Sequence, residues 1–155
     1  MNPLQPLITL LGHAERERDE RAAACQHAAR ARQTAAAQAE QLLGYRRDYE
    51  QRWSAQFRTD GRMELVHCYR GFMERLTQAV DQQQRSADAA IASFDEALVR
   101  LREAETRVAA VRKLIERRCN EARLSGERLD QKATDEFAAR AAWNRSGDFG
   151  LARVG

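Results

Sequence analysis

After Pro6 the chain contains no proline, so residues 7–155 run without the one residue that stops a helix outright. Pro3 and Pro6 themselves fit the first turn of a helix, where a missing N–H leaves no partner wanting. Asn2 or Gln5 then supplies the cap. In the remaining chain only Asp60-Gly61, within Thr59 to Arg62, carries a strong turn signal. Sheet proteins need turn residues roughly every ten positions, so β and α/β folds drop out. The expectation is an all-α chain. Helix one covers about 4–58, a turn covers 59–62 and helix two covers about 63–142. These form a single coiled-coil domain over 1–143, followed by a disordered tail over 144–155.

Composition agrees. Hydrophobic residues make up 43%, but much of that share is alanine, which buries little area, and aromatics make up only 6%. A chain rich in Ala, Glu, Leu, Arg and Gln favours long helices. The net charge is +3, from 26 basic and 23 acidic residues with interspersed signs, so no strong field awaits nucleic acid. Lysine occurs only at Lys113 and Lys132. No stretch approaches the ~18 apolar residues that an integral membrane segment needs. The apolar run Leu4 to Leu11 is short and lacks a basic n-region and a cleavage site, so it reads as no signal peptide. Cys25, Cys68 and Cys119 are odd in number and far apart, with no CxxC, which points to free thiols in a reducing cytoplasm.

Helix one carries small or apolar residues at Leu4, Leu7, Leu11, Ala14, Cys25, Ala28, Ala35, Ala39, Leu42, Tyr49 and Trp53. The steps are mostly threes and fours, with Arg18, Arg21, Arg32 and Arg46 in register, which is a heptad seam with polar interruptions. Helix two carries Leu65, Tyr69, Phe72, Leu76, Val80, Ala87, Ile91, Phe94, Leu98, Leu101, Val108, Val111, Ile115 and Ala122. Four-residue steps from Val80 through Gln84 and Asp88 suggest a stutter near Gln82 to Gln84. A tight turn makes the helices antiparallel, with residue i facing roughly 122 − i, so that Leu7 faces Ile115, Cys25 faces Ala97 and Trp53 faces Tyr69. At ~1.5 Å per residue helix one reaches about 80 Å and helix two about 117 Å. Helix two therefore overhangs beyond about Arg117 and must bind something, fray or dimerise.

No phosphate loop of the GxxxxGK[ST] type, HExxH or GxSxG is present, and a two-helix hairpin offers no concave site, so the expectation is no enzyme and no cofactor. His13, His27 and His67 lie too far apart on a rod to share a metal. The charged run Glu15 to Arg21 is either a contact site or a solvated face with i,i+4 pairs. A faint basic-zipper pattern over Arg21 to Arg32 fails for want of leucines at heptad spacing after it. Tyr69, Phe72 and Leu76 are denser in large apolar groups than one seam needs. They form either a docking patch or ordinary packing beside the turn, opposite Tyr49, Trp53 and Phe57. The region Arg112 to Arg128 is net basic and coincides with the start of the overhang, as a binding surface would be.

The order of these features resembles one family. Pro6-Leu7-x-x-Leu10-Leu11 is followed by Ala14 to Asp19, then by Gln41 to Tyr49 with tyrosines at Tyr45 and Tyr49. After the turn come Tyr69, Phe72 and Leu76 with Gln82-Gln83-Gln84, and finally Asp130-Gln131-Lys132-Ala133-Thr134-Asp135-Glu136 with Ala138 and Arg140. The set resembles the FliJ family of flagellar export proteins over about residues 3–142, and more distantly the central stalks of injectisome secretion systems. Asp130 stands where the family often has Glu.

The resemblance implies an antiparallel coiled coil like the central shaft of rotary ATPases, and a component of the flagellar type III export apparatus. It implies three partners: the hexameric export ATPase FliI, the export gate protein FlhA and export chaperones. On that footing Arg117, Arg118, Arg123, Asp130, Gln131, Lys132, Asp135 and Glu136 are expected to meet the ATPase ring. Tyr69, Phe72 and Leu76 are expected to meet the gate. The protein is expected to be a monomer when free, and cytoplasmic, peripheral at the inner membrane through the apparatus. The alternatives are a substrate-shielding export chaperone and the equivalent stalk of an injectisome.

Overall fold

The computed structural model describes residues 2–151, with side chains described through 147. It holds two helices, α1 (Gln5–Thr59) and α2 (Met63–Leu151), in an antiparallel hairpin whose second helix is the longer. Helix α1 starts as the prolines require. The Asn2 side chain accepts from the Leu4 N–H at 3.0 Å, and the Asn2 carbonyl accepts from the Gln5 N–H at 3.1 Å, so two orphan donors of the first turn are satisfied. At the other end the Asp60 N–H reaches the Gln56 carbonyl at 2.8 Å and the Thr59 hydroxyl reaches the same carbonyl at 2.9 Å. The turn falls where Asp60-Gly61 put it, but no described residue, Gly61 included, has a positive φ. Gly61 thus contributes no left-handed conformation. The turn is a short break between two helix ends.

The chain divides into two compact units. One is His13–Val108, which contains the turn; the other combines Met1–Gly12 with Ala109–Gly155.

In the unit His13–Val108 the α1 seam follows the heptad steps read from the sequence. Ala14, Cys25 and Ala39 are buried, and Arg18, Arg21, Ala28, Ala35, Leu42, Arg46, Tyr49 and Trp53 are partly covered. On α2, Val80, Ala87, Ala104 and Val108 are buried. Rings of Trp53 and Tyr69 lie 5.6 Å apart and those of Tyr49 and Phe72 lie 4.8 Å apart. Arg107 Nη1 sits 2.7 Å from Glu17 Oε1. All three pairs keep close to the expected register of i against roughly 122 − i. No large side chain is fully buried among the described residues. The core is a line of small groups, which lets the helices approach closely and buries little area per residue.

Two sequence expectations are corrected here. The α2 seam has no stutter at Gln82 to Gln84: Gln84 and Asp88 are exposed, while Gln83 is partly covered. Gln83 holds its seam position because its amide Nε2 donates across the hairpin to Gln38 Oε1 at 3.1 Å and to the Ala35 carbonyl at 3.5 Å. Partly covered or buried residues then recur at unbroken three-four steps from Val66 to Ile115. Ile91, placed in the seam by its size, is exposed, and Ala90 beside it is partly covered instead. A small residue fits where the facing helix is close; a large one one position away does not.

In the second unit, Leu4, Leu7 and Leu11 are partly covered, as are Val111, Leu114 and Ile115. From residue 116 onward the described side chains are exposed except Gly126 and Ala141, which are partly covered. The helix nevertheless continues to Leu151, well past the expected end near 142. The apolar pattern fades there because nothing packs on it, but no proline ends the helix, and fading of a packing pattern is not loss of helix. The expected disordered tail over 144–155 thus begins inside α2, and residues 152–155 lie outside the described ones.

Candidate functional site

Two surfaces held the sequence-predicted residues, and the structure describes them in different units. The first lies beside the turn. Tyr69, Phe72 and Leu76 are each partly covered rather than free. Their spacing on α2 turns Tyr69 onto Trp53 and Phe57, with ring centroids 5.6 and 5.3 Å away, and Phe72 onto Tyr49. Trp53 and Phe57 meet at 5.6 Å along α1. Tilted and edge-on aromatic pairs of this kind add to the area they bury. The rings pack the turn end, as one of the two sequence alternatives has it, and part of their surface stays accessible. An open groove of about 250 Å³ runs beside them, lined by Tyr49, Arg52, Trp53, Gln56 and Leu65. Tyr45 and Met63, which periodicity alone did not single out for this surface, are exposed at this end.

The second surface is α2 beyond residue 116. Arg117, Arg118, Arg123, Asp130, Gln131, Lys132, Asp135 and Glu136 are all exposed. Their contacts are local to the helix. Arg123 Nη1 lies 3.7 Å from Glu127 Oε1, and the Gln131 amide donates to Asp135 Oδ1 at 3.1 Å. Exposed pairs of that kind add little to stability, so these groups stay available to a partner. Sequence reasoning missed the apolar residues among them. Leu129, Phe137 and Trp143 are 67%, 77% and 79% exposed. The signal was there: Cys119, Ala122, Gly126, Leu129, Ala133 and Phe137 continue the three-four stepping past Ile115.

Among the described residues no three His, Cys, Asp or Glu side chains are grouped to hold a metal ion. His13 meets Arg16, Nδ1 to Nη2 at 3.1 Å, and Cys25 is buried in the seam while Cys68 and Cys119 are exposed. No described helix is long and apolar enough to cross a membrane. One surface presents aromatic edges beside a turn, the other an exposed helix with mixed charge and apolar groups.

Comparison with known proteins agrees with the motif order. The family model described as "Flagellar FliJ protein" matches residues 3–147. The Flagellar FliJ protein of Escherichia coli (strain K12) is 31% identical over 139 residues, covering 90% of this chain and 95% of that protein. The Flagellar FliJ protein of Salmonella typhi is 30% identical over 139 residues, with the same coverage. No solved structure gives a significant match. The match runs through both helices, the turn and the bare end of α2, and the chain belongs to the FliJ family.

Proposed function

We propose that this chain is a non-enzymatic stalk and adaptor of the flagellar type III protein export apparatus. In this reading the bare end of α2 enters the ring of the hexameric export ATPase. The aromatic end beside the turn faces the export gate protein, and export chaperones bind the hairpin. The site of action is the cytoplasmic face of the inner membrane, reached through the apparatus. The observation that carries the reading is the long stretch of α2 beyond 116 that α1 does not cover, with its arginines and carboxylates exposed. An exposed helix that carries both signs of charge suits a polar ring interior. Family membership supports the flagellar setting. The protein would act by contacting ring conformations unequally, which favours hexamer assembly and biases turnover.

The test is stimulation of the purified export ATPase. The full chain is expected to raise turnover and promote hexamers, and a chain ending at residue 116 is expected to do neither. Charge reversal at Arg117, Arg118 and Arg123 is expected to weaken the effect and make what remains less sensitive to salt. Full stimulation by the shortened chain would move the ring contact to the hairpin body. A second reading, a chaperone that shields export substrates, draws on the exposed Leu129, Phe137 and Trp143. It is favoured instead if the chain rescues an aggregating substrate stoichiometrically and leaves the ATPase unchanged.

A further inference from the structure

The apolar stripe on the bare end of α2 suggests an occupant of its own, apart from any ring. Cys119, Ala122, Gly126, Leu129, Ala133 and Phe137 share one face of the helix. Most are small, and a Cβ placed on Gly126 would meet nothing within 4 Å, so a second helix can come close. The charges on either side are polarised along the helix. Over 117–128 arginines at 117, 118, 123 and 128 outnumber Glu121 and Glu127; over 130–136 Asp130, Asp135 and Glu136 outnumber Lys132. A parallel copy would set like charge on like. An antiparallel copy sets the basic half on the acidic half.

We propose that this stretch pairs with the same stretch of a second copy of the chain, antiparallel, about a two-fold axis between Glu127 and Arg128. The edges of the stripe agree with that axis. Arg118 and Glu136 lie five helical turns apart on one edge, and Arg123 and Asp130 about two turns apart on the other. This axis brings Arg118 to within one residue of the position opposite Glu136 of the second copy, and Arg123 to within two of the position opposite its Asp130, in reach of their long side chains, each contact made twice. Same-edge residues are those that meet across an antiparallel pair. Gly126 then lies near Leu129, and Ala122 near Ala133, setting small residues beside larger or equal ones. The Arg123–Glu127 pair within the helix, at 3.7 Å and exposed, is weak enough to give way. The closed hairpin keeps the chain a monomer at high dilution, and the pairing appears as concentration rises. Pairing and ring insertion would use the same helix and exclude each other.

Sedimentation equilibrium of the full chain over a concentration series tests this with no ATPase present, so its outcome stands apart from the stalk reading. A monomer–dimer equilibrium that weakens with added salt is expected. Arg118→Glu and Glu136→Arg each set two like-charged contacts into the dimer and are expected to weaken association about tenfold or more. An equal mixture of the two variants is expected to recover association, because every contact across that mixed pair is again between opposite charges. Recovery also shows that each variant is folded. A monomer throughout the series, single variants that associate like the parent, or a mixture that does not recover would each overturn the proposal.

Discussion

Arginine and glutamine occupy seam positions that a coiled coil ordinarily fills with leucine, and the structure shows why they are tolerated. Arg32 lays its guanidinium 5.3 Å from the centre of the Phe94 ring, so the charge rests against an aromatic face while the group stays wet. Arg46 reaches Glu50 at 3.4 Å. Gln83 bonds across to α1 and thereby fixes which residues face each other. Gln83→Ala is expected to cost about 1 kcal/mol in urea unfolding, since its partners lie near solvent and water can replace the lost amide. The helical glycines work the other way. Gly44 and Gly71 have no positive φ, and a Cβ on either would meet nothing within 4 Å. Gly44→Ala and Gly71→Ala are each expected to raise stability by about 0.5–1 kcal/mol, read as a higher melting temperature. A lower melting temperature would mean that the space is filled in the folded protein.

At the scale of the helix, the aromatic end beside the turn holds the two helix ends together and is the surface proposed to face the export gate. Phe72 packs on Tyr49 with part of its surface still open. Phe72→Ala with Leu76→Ala is expected to leave helicity nearly intact while weakening binding to the export gate by about 2 kcal/mol or more. A large fall in melting temperature with unchanged binding would show that these residues serve packing alone. The α1 seam was legible at every named position except Arg32, which is exposed, because alanine, leucine and arginine kept one step pattern from Leu4 to Trp53. The α2 seam was misread where a glutamine held a core position and where size pointed to Ile91 instead of its small neighbour Ala90. Apolar spacing reports what packs, and a polar side chain that satisfies itself across the interface is invisible to it. The same limit hid the end of α2. Spacing faded near Ala142 because no partner lies there, yet the backbone remains helical to Leu151. The arginines of the bare surface were legible as a net basic run, and Asp130 to Glu136 through the family resemblance; Leu129 and Phe137 were passed over although they continue the three-four stepping, and Trp143 lies outside it.

Coverage of α2 by α1 ends at about Ile115, and the described side chains beyond it are exposed except at Gly126 and Ala141. A chain ending at residue 116 is expected to unfold in urea at nearly the parent midpoint, with a smaller change in helicity and only a slightly lower slope. A midpoint far below the parent's would mean that the bare end braces the hairpin. The most direct measurement of the central claim is residue-resolved amide hydrogen exchange across α2, taken at monomeric dilution with and without the export ATPase hexamer. The account predicts strong protection up to about residue 115 and weak protection beyond it in the free chain. It predicts that the hexamer adds protection chiefly beyond 116. Strong protection beyond 116 in the free chain, or added protection confined to the turn end around residues 45–76, would contradict it.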